Sequence, residues 1–135
     1  MPEPHRTEGE VHRGSCLCKA VRFEVQGALP PPDACHCTAC RKHSGHVFVS
    51  TDVPRARMTI DGGEHLSWYR SSAKVRRGFC SVCGSSLFWD PLERDWIGVA
   101  MGAFDGSTGT KIAIHVHVAD KGDYYELEDG VPQKP

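Results

Sequence analysis

The sequence has no long apolar run. Nothing in it approaches the roughly 18 consecutive apolar residues that mark a membrane-spanning helix. Nor does it carry an excess of one charge: 16 Lys and Arg stand against 17 Asp and Glu, a net charge of −1. No global field therefore recruits nucleic acid or an anionic membrane surface. The opening stretch, Met1 to Glu8, holds no apolar core of a signal peptide. The expectation is a cytoplasmic protein, in a compartment where thiols stay reduced.

Helix-length stretches free of glycine and proline are missing as well. With 14 Gly and 9 Pro in 135 residues, the longest such stretch is Glu64 to Arg77, and its apolar residues do not recur at helical spacing. Short alternating runs are present instead. Ala20 to Gln26 puts Val21, Phe23 and Val25 on one face, the period-2 mark of a half-buried strand. Similar runs are His46–Ser50, His65–Tyr69, Ser86–Trp89 and Trp96–Met101, and Lys111–Val118 has four β-branched residues on one face. Turn signals separate them at Pro30-Pro31-Pro32-Asp33, Asp61-Gly62-Gly63 and Asp105-Gly106-Ser107. The pattern predicts a mainly β fold of antiparallel sheets, with one helical turn at Thr38 to Ser44. The length suits a single domain, which buries about 68% of its unfolded surface. The first dozen residues and the last five read as loose termini.

What the chain does have is cysteine, 7 in all. An odd number cannot pair completely, and a reducing compartment disfavours disulfides. The cysteines fall in three clusters: Cys16-Leu17-Cys18, Cys35-His36-Cys37-Thr38-Ala39-Cys40, and Cys80-Ser81-Val82-Cys83-Gly84. Two thiolates one or two residues apart can reach one zinc ion, which takes four ligands at about 2.3 Å. Zinc is preferred here to an iron–sulfur cluster, although cysteine serves both. Isolated core cysteines, the plain alternative, do not cluster in this way. Seven sulfurs cannot fill two four-cysteine sites, so one closed site of four and one open site of three is the natural division. Spacing leaves two assignments. A ribbon-like choice joins Cys37 and Cys40 to Cys80 and Cys83. The other joins Cys16 and Cys18 to Cys80 and Cys83, leaving Cys35, Cys37 and Cys40 as a local trio. The second is preferred, because a trio within six residues forms without long-range help.

Gly14-Ser15-Cys16-Leu17-Cys18, Cys35-His36-Cys37-Thr38-Ala39-Cys40-Arg41 and Phe79-Cys80-Ser81-Val82-Cys83-Gly84-Ser85-Ser86-Leu87-Phe88-Trp89 together resemble the glutathione-dependent formaldehyde-activating enzyme family, which includes centromere protein V. The stretch His115 to Tyr125 looks like the family's C-terminal strand and loop, and the resemblance runs from about Gly14 to Gln133. It implies an Mss4-like fold of antiparallel sheets stapled by zinc, as one domain over residues 14–130 between tails 1–13 and 131–135. It also implies that Cys16, Cys18, Cys80 and Cys83 hold a structural zinc, and that Cys35, Cys37 and Cys40 are the catalytic zinc ligands. The implied activity is condensation of glutathione with formaldehyde to S-(hydroxymethyl)glutathione, a carbon–sulfur lyase reaction in reverse.

Such chemistry needs a thiolate, and free thiols are mostly protonated at neutral pH. An open zinc position can deprotonate and orient a thiol. The partners expected are therefore a small thiol such as glutathione and a small aldehyde, with no nucleic acid and no membrane. Glutathione carries two carboxylates, so Arg41 and Lys42 beside the trio are candidate substrate contacts, with Arg76 and Arg77 behind them; the plain alternative for each is a solvated charge. Phe88 and Trp89 are candidate pocket walls, with core packing as their plainer role. His36, between two candidate ligands, points away from them in extended geometry and is expected to be exposed. His43 and His46 read as loop residues, and one of His115 and His117 as buried and hydrogen-bonded. Two other functions compete: a zinc-stabilised binding module without activity, and a thiol redox enzyme resembling methionine-R-sulfoxide reductases. The redox reading needs a free nucleophilic cysteine, and every cysteine here has a ligand role.

Overall fold

The computed structural model describes residues 10–135. Ten strands and one α-helix follow one another along them: β1 Val11–Ser15, β2 Arg22–Gln26, β3 Asp33–Cys35, α1 Thr38–Ser44, β4 Phe48–Pro54, β5 Met58–Asp61, β6 Leu66–Arg70, β7 Val75–Cys80, β8 Ser86–Pro91, β9 Trp96–Ala100 and β10 Ile114–Val116. Strands β1, β2 and β5 form one sheet, and the other seven form a second in the order β10-β3-β4-β9-β8-β7-β6. The expected mainly β fold with little helix is what the chain adopts. One pair departs from the antiparallel rule, since β10 runs parallel to β3.

The core lies between the two sheets, and period-2 alternation puts it there. Val21, Phe23 and Val25 are 0%, 2% and 1% exposed, as the β2 pattern predicts. They meet Val53, Phe88, Ile97 and Val99 from the larger sheet. Phe23 stands edge-on to Phe88 and to Phe104, with ring centroids 5.6 and 5.3 Å apart, a favoured aromatic geometry. A bulge between β7 and β8 sets Gly78 opposite Phe88 but Phe79 opposite Ser86. Leu87 is the extra residue, and the kink lets the consecutive Leu87 and Phe88 both be buried.

Three expectations are corrected. Of the loose tail expected over residues 1–13, residues 1–9 lie outside the described ones, but Val11 to Arg13 belong to β1 and pair with β2. The expected loose end is partly tied down too: His115 N–H donates to Pro132 O and Lys134 N–H to His115 O. The strand expected over Lys111–Val118 is only Ile114–Val116, because His117 adopts a left-handed conformation, φ 55°, which no strand continues.

Candidate functional site: two cysteine clusters and a cavity

The four cysteines Cys16, Cys18, Cys80 and Cys83 come together from two turns, one after β1 and one after β7, with their sulfurs within 4.8 Å of one another. Each turn is locally built. After β1, Lys19 takes φ 68° and its N–H donates to Cys16 O. After β7, Gly84 takes φ 82° and donates to Cys80 O at 2.8 Å, a conformation that favours glycine. Backbone N–H groups point at the sulfurs: Val21 at Cys16 Sγ, and Val82 and Cys83 at Cys80 Sγ, at 3.3, 3.3 and 3.4 Å. Ser85, whose Oγ lies 3.1 Å from Cys83 Sγ, leads the hydrogen bonds that bring the Cys83 thiol down to about 5. Sulfur separations of 3.7 Å (Cys16 to Cys18) and 3.8 Å (Cys18 to Cys80) fit the roughly 3.8 Å edge of a tetrahedron with zinc–sulfur bonds of about 2.3 Å. The donor set suits a thiophilic ion.

Cys35, Cys37 and Cys40 form the second group, again within 4.8 Å. Cys35 ends β3, Cys37 caps α1, and Cys40 is buried in its first turn, its N–H donating to Cys37 Sγ at 3.3 Å. Both terminal nitrogens of Arg77 lie 3.6 Å from Cys40 Sγ, and its Nε donates to Ser71 Oγ. The Cys40 thiol is brought down to about 6, mainly by the hydrogen bond from Cys35 and then by Arg77, against the effect of burial. The Cys35 thiol is pushed up, by Cys40 first and burial second. The division into four and three, preferred from spacing, is the one the folded chain makes.

Register explains why the trio faces a cavity. On β3 and β4, Asp33 stands opposite Ser50 and Cys35 opposite Phe48, so all four side chains share one face of the larger sheet. Asp52 and Trp96 continue that face, as do Trp89 opposite Gly98 and Arg77 opposite Trp89. Together with Cys37 and Cys40 from α1, they enclose a cavity of about 220 Å³. Trp89 and Trp96 stack at 5.8 Å and 18° as its wall. Gly98 keeps the floor low, since a Cβ there would lie 3.2 Å from Trp89 Cβ and 3.3 Å from Ser50 Oγ. A larger hollow of about 540 Å³ lies over β1, β2 and β5, but no cysteine lines it.

Of the residues singled out from sequence, Trp89 lines the cavity, whereas Arg41 and Lys42 do not. Lys42 is exposed, and the buried Nε of Arg41 has no hydrogen-bond partner among the described residues. Arg76 turns away to pair with the buried Asp90 at 2.7 Å. Arg77 is buried, 5% exposed. Phe88 is core. His43 and His46 hydrogen-bond Ser86 and Tyr124 outside the cavity. The expectation of an exposed His36 is wrong: it is 1% exposed. It does point away from the trio, but β10 and the chain after it cover that side.

His36 belongs to a chain of hydrogen bonds whose two imidazoles are buried. His115 Nε2 lies 2.8 Å from Asp129, His115 Nδ1 lies 2.9 Å from His36 Nε2, and His36 Nδ1 lies 2.5 Å from the Tyr125 hydroxyl. The carboxylate only accepts, so each imidazole donates from Nε2 and accepts at Nδ1, and Tyr125 donates. Burial, then His115, holds His36 below the usual imidazole range. Sequence reasoning missed this link, together with Asp33, Ser50, Asp52 and Trp96. The available signal was the alternation Phe48, Ser50, Asp52, which puts polar groups on the same face as an aromatic ring.

Comparison with known proteins agrees with this geometry. The family model described as glutathione-dependent formaldehyde-activating enzyme matches residues 11–120. A Halomonas elongata protein named as a putative enzyme of that kind is 32% identical over 127 residues, covering 85% of this chain and 80% of its own. An uncharacterized lyase of Schizosaccharomyces pombe is 26% identical, covering 86% and 85%. The crystal structure of a Rhodobacter sphaeroides protein shares the fold, with a TM-score of 0.60 at 21% identity over 74% of this chain and 98% of that one. With the match running from β1 to beyond β10, and both cysteine groups inside it, the chain belongs to the glutathione-dependent formaldehyde-activating enzyme family.

Proposed function

We propose that this protein is a zinc-dependent carbon–sulfur lyase of its family's type, joining a thiol, glutathione in the first instance, to formaldehyde or another small aldehyde. One observation carries the reading: the four-cysteine group is a complete ligand set, whereas the three-cysteine group opens onto a cavity. Completeness suits a structural ion, and an open position suits a catalytic one. Bound by Cys35, Cys37 and Cys40, zinc would supply a position at which a substrate thiol loses its proton.

The rest is the work of the chain. Arg77 donates to Cys40 Sγ and fixes its direction. Trp89, Trp96 and Phe48 wall the cavity and keep water from competing for the aldehyde. In the reaction, the thiolate sulfur bonds to the carbonyl carbon, the carbonyl π pair moves to oxygen, and oxygen takes up a proton. The product is a hydroxymethyl thioether, and the reverse step is the lyase reaction. Cysteines needed as thiolates support a cytoplasmic location. Among the described residues no helix is long and apolar enough to cross a membrane.

The test is exchange between glutathione and formaldehyde followed by NMR, against the uncatalysed background, with zinc counted in the same sample. We expect two zinc ions per chain and clear acceleration, both reduced in Cys37→Ser, to one ion and to background. Unchanged turnover in Cys37→Ser would sink the reading.

A further inference from the structure

The cavity beside the cysteine trio has an acidic end. Asp33 and Ser50 face each other across β3 and β4, and Asp52 lies two residues further along β4 on the same face. Ser50 is 7% exposed, it lines the cavity, and its hydroxyl makes no side-chain hydrogen bond among the described residues. Neither carboxylate has an ion-pair partner there. A hydroxyl that faces a cavity without a protein partner is a place for a ligand atom.

Two other groups on the cavity can carry positive charge. Arg77 directs three of its five N–H donors to Cys40 and Ser71. His117 is exposed beside Asp33. The basic candidates named for glutathione's carboxylates, Arg41 and Lys42, lie outside. Partial burial, and then the charge of Asp33, raise the Asp52 carboxyl to about 6.

We propose that Asp33, Ser50 and Asp52 form an ammonium subsite, so that the thiol substrate enters with a cationic end and carboxylate thiols are disfavoured. An ammonium group has three N–H donors and no acceptor; here it meets three acceptor groups on one sheet face. The bonds are charge-assisted, and the stacked Trp89 and Trp96 add π faces that attract a cation. A substrate carboxylate in the same place would confront two like charges at close range. Asp33 and Cys35 are two residues apart on β3, about 7 Å, so sulfur and nitrogen are joined by a short aliphatic linker. Glutathione carries a carboxylate on the carbon that bears its ammonium group, so a simple aminothiol fits this subsite better than glutathione does.

The inference rests on the thiol reading above, and the experiment separates the two. Titrate 2-aminoethanethiol and 3-mercaptopropionate, without aldehyde, into the zinc-loaded protein at pH 7.5 by calorimetry. The ammonium thiol is expected to bind at least about tenfold more tightly. Asp52→Asn and Ser50→Ala are each expected to bring that preference down to about threefold or less. Equal or tighter binding of 3-mercaptopropionate to the unaltered protein overturns the inference and leaves the thiol reading intact. Full preference retained in a folded Asp52→Asn variant overturns it as well. If neither thiol binds, the thiol reading fails and takes this inference with it.

Discussion

Arg77 reaches across from β7 and sets both terminal guanidinium nitrogens 3.6 Å from the sulfur of Cys40. It is the buried positive partner of a sulfur that would bind metal as a thiolate, and it leaves the three-cysteine group less negative. Replacing it with lysine keeps the charge but loses the planar fork. For Arg77→Lys we expect a loss of about 10- to 100-fold in zinc affinity at the trio, with zinc at the four-cysteine group retained. Competition with a chromogenic chelator reads both sites. Equal affinity in Arg77→Lys and the unaltered chain would show that the contact does not tune the metal.

The two cysteine groups should answer mutation differently. Cys80 and Cys83 on the turn after β7 would share one ion with Cys16 and Cys18 on the turn after β1 and so tie the two turns together. Cys83→Ser is therefore expected to lower Tm by on the order of 10 °C. Cys37→Ser touches a group formed within one stretch of chain, and its Tm should move by only about 2–4 °C. Differential scanning calorimetry decides; similar losses in the two variants would mean that the trio is also a fold determinant.

His36 and His115 link the turn that carries the cysteine trio to the C-terminal segment. His115→Leu leaves His36 Nε2 buried without its acceptor, at a cost of about 1–3 kcal/mol. Because the ring sits between Cys35 and Cys37, the same variant should release zinc from the trio several-fold faster, whereas a purely packing role would lower Tm and leave release unchanged. His115→Asn, which can still accept a hydrogen bond, is expected to restore part of the metal retention.

Asp52 gives a pH-dependent outcome. Its carboxyl is raised to about 6 in the folded chain, by burial and then by Asp33, against about 3.9 when unfolded. The folded state therefore binds more protons between these values, so this group adds stability as pH falls through 6 and costs stability at pH 7.5. Asp52→Asn should raise Tm at pH 7.5 by about 1–3 °C, a small gain because the residue reaches solvent at the cavity mouth. The gain should disappear near pH 4. A constant difference across that range would mean that Asp52 does not titrate as its surroundings dictate.

Local chemistry was legible in the sequence wherever neighbours along the chain decide the outcome. Val21, Phe23 and Val25 alternate into the core, and α1 covers the residues Thr38 to Ser44 that were expected to turn. Cys35, Cys37 and Cys40 meet because six residues hold all three. Lys111 to Val118 misled, because a β-branched pattern cannot reveal that His117 turns left-handed. Arg41 and Lys42 misled because nearness in sequence to a ligand is not nearness to its open side.

By itself, then, the sequence determined a β-rich chain with 7 cysteines in metal-binding spacing and a family pattern around them, since periodicity and short-range chelation are local properties. The tertiary structure decided which sulfurs meet, that Arg77 turns its guanidinium to the Cys40 sulfur, and that His36 is buried against His115. It also decided that Asp33, Ser50 and Asp52 face the cavity beside the trio. Each of these depends on which strands pair and in what register, and pairing between distant strands is set by the packing of the whole core rather than by any one segment.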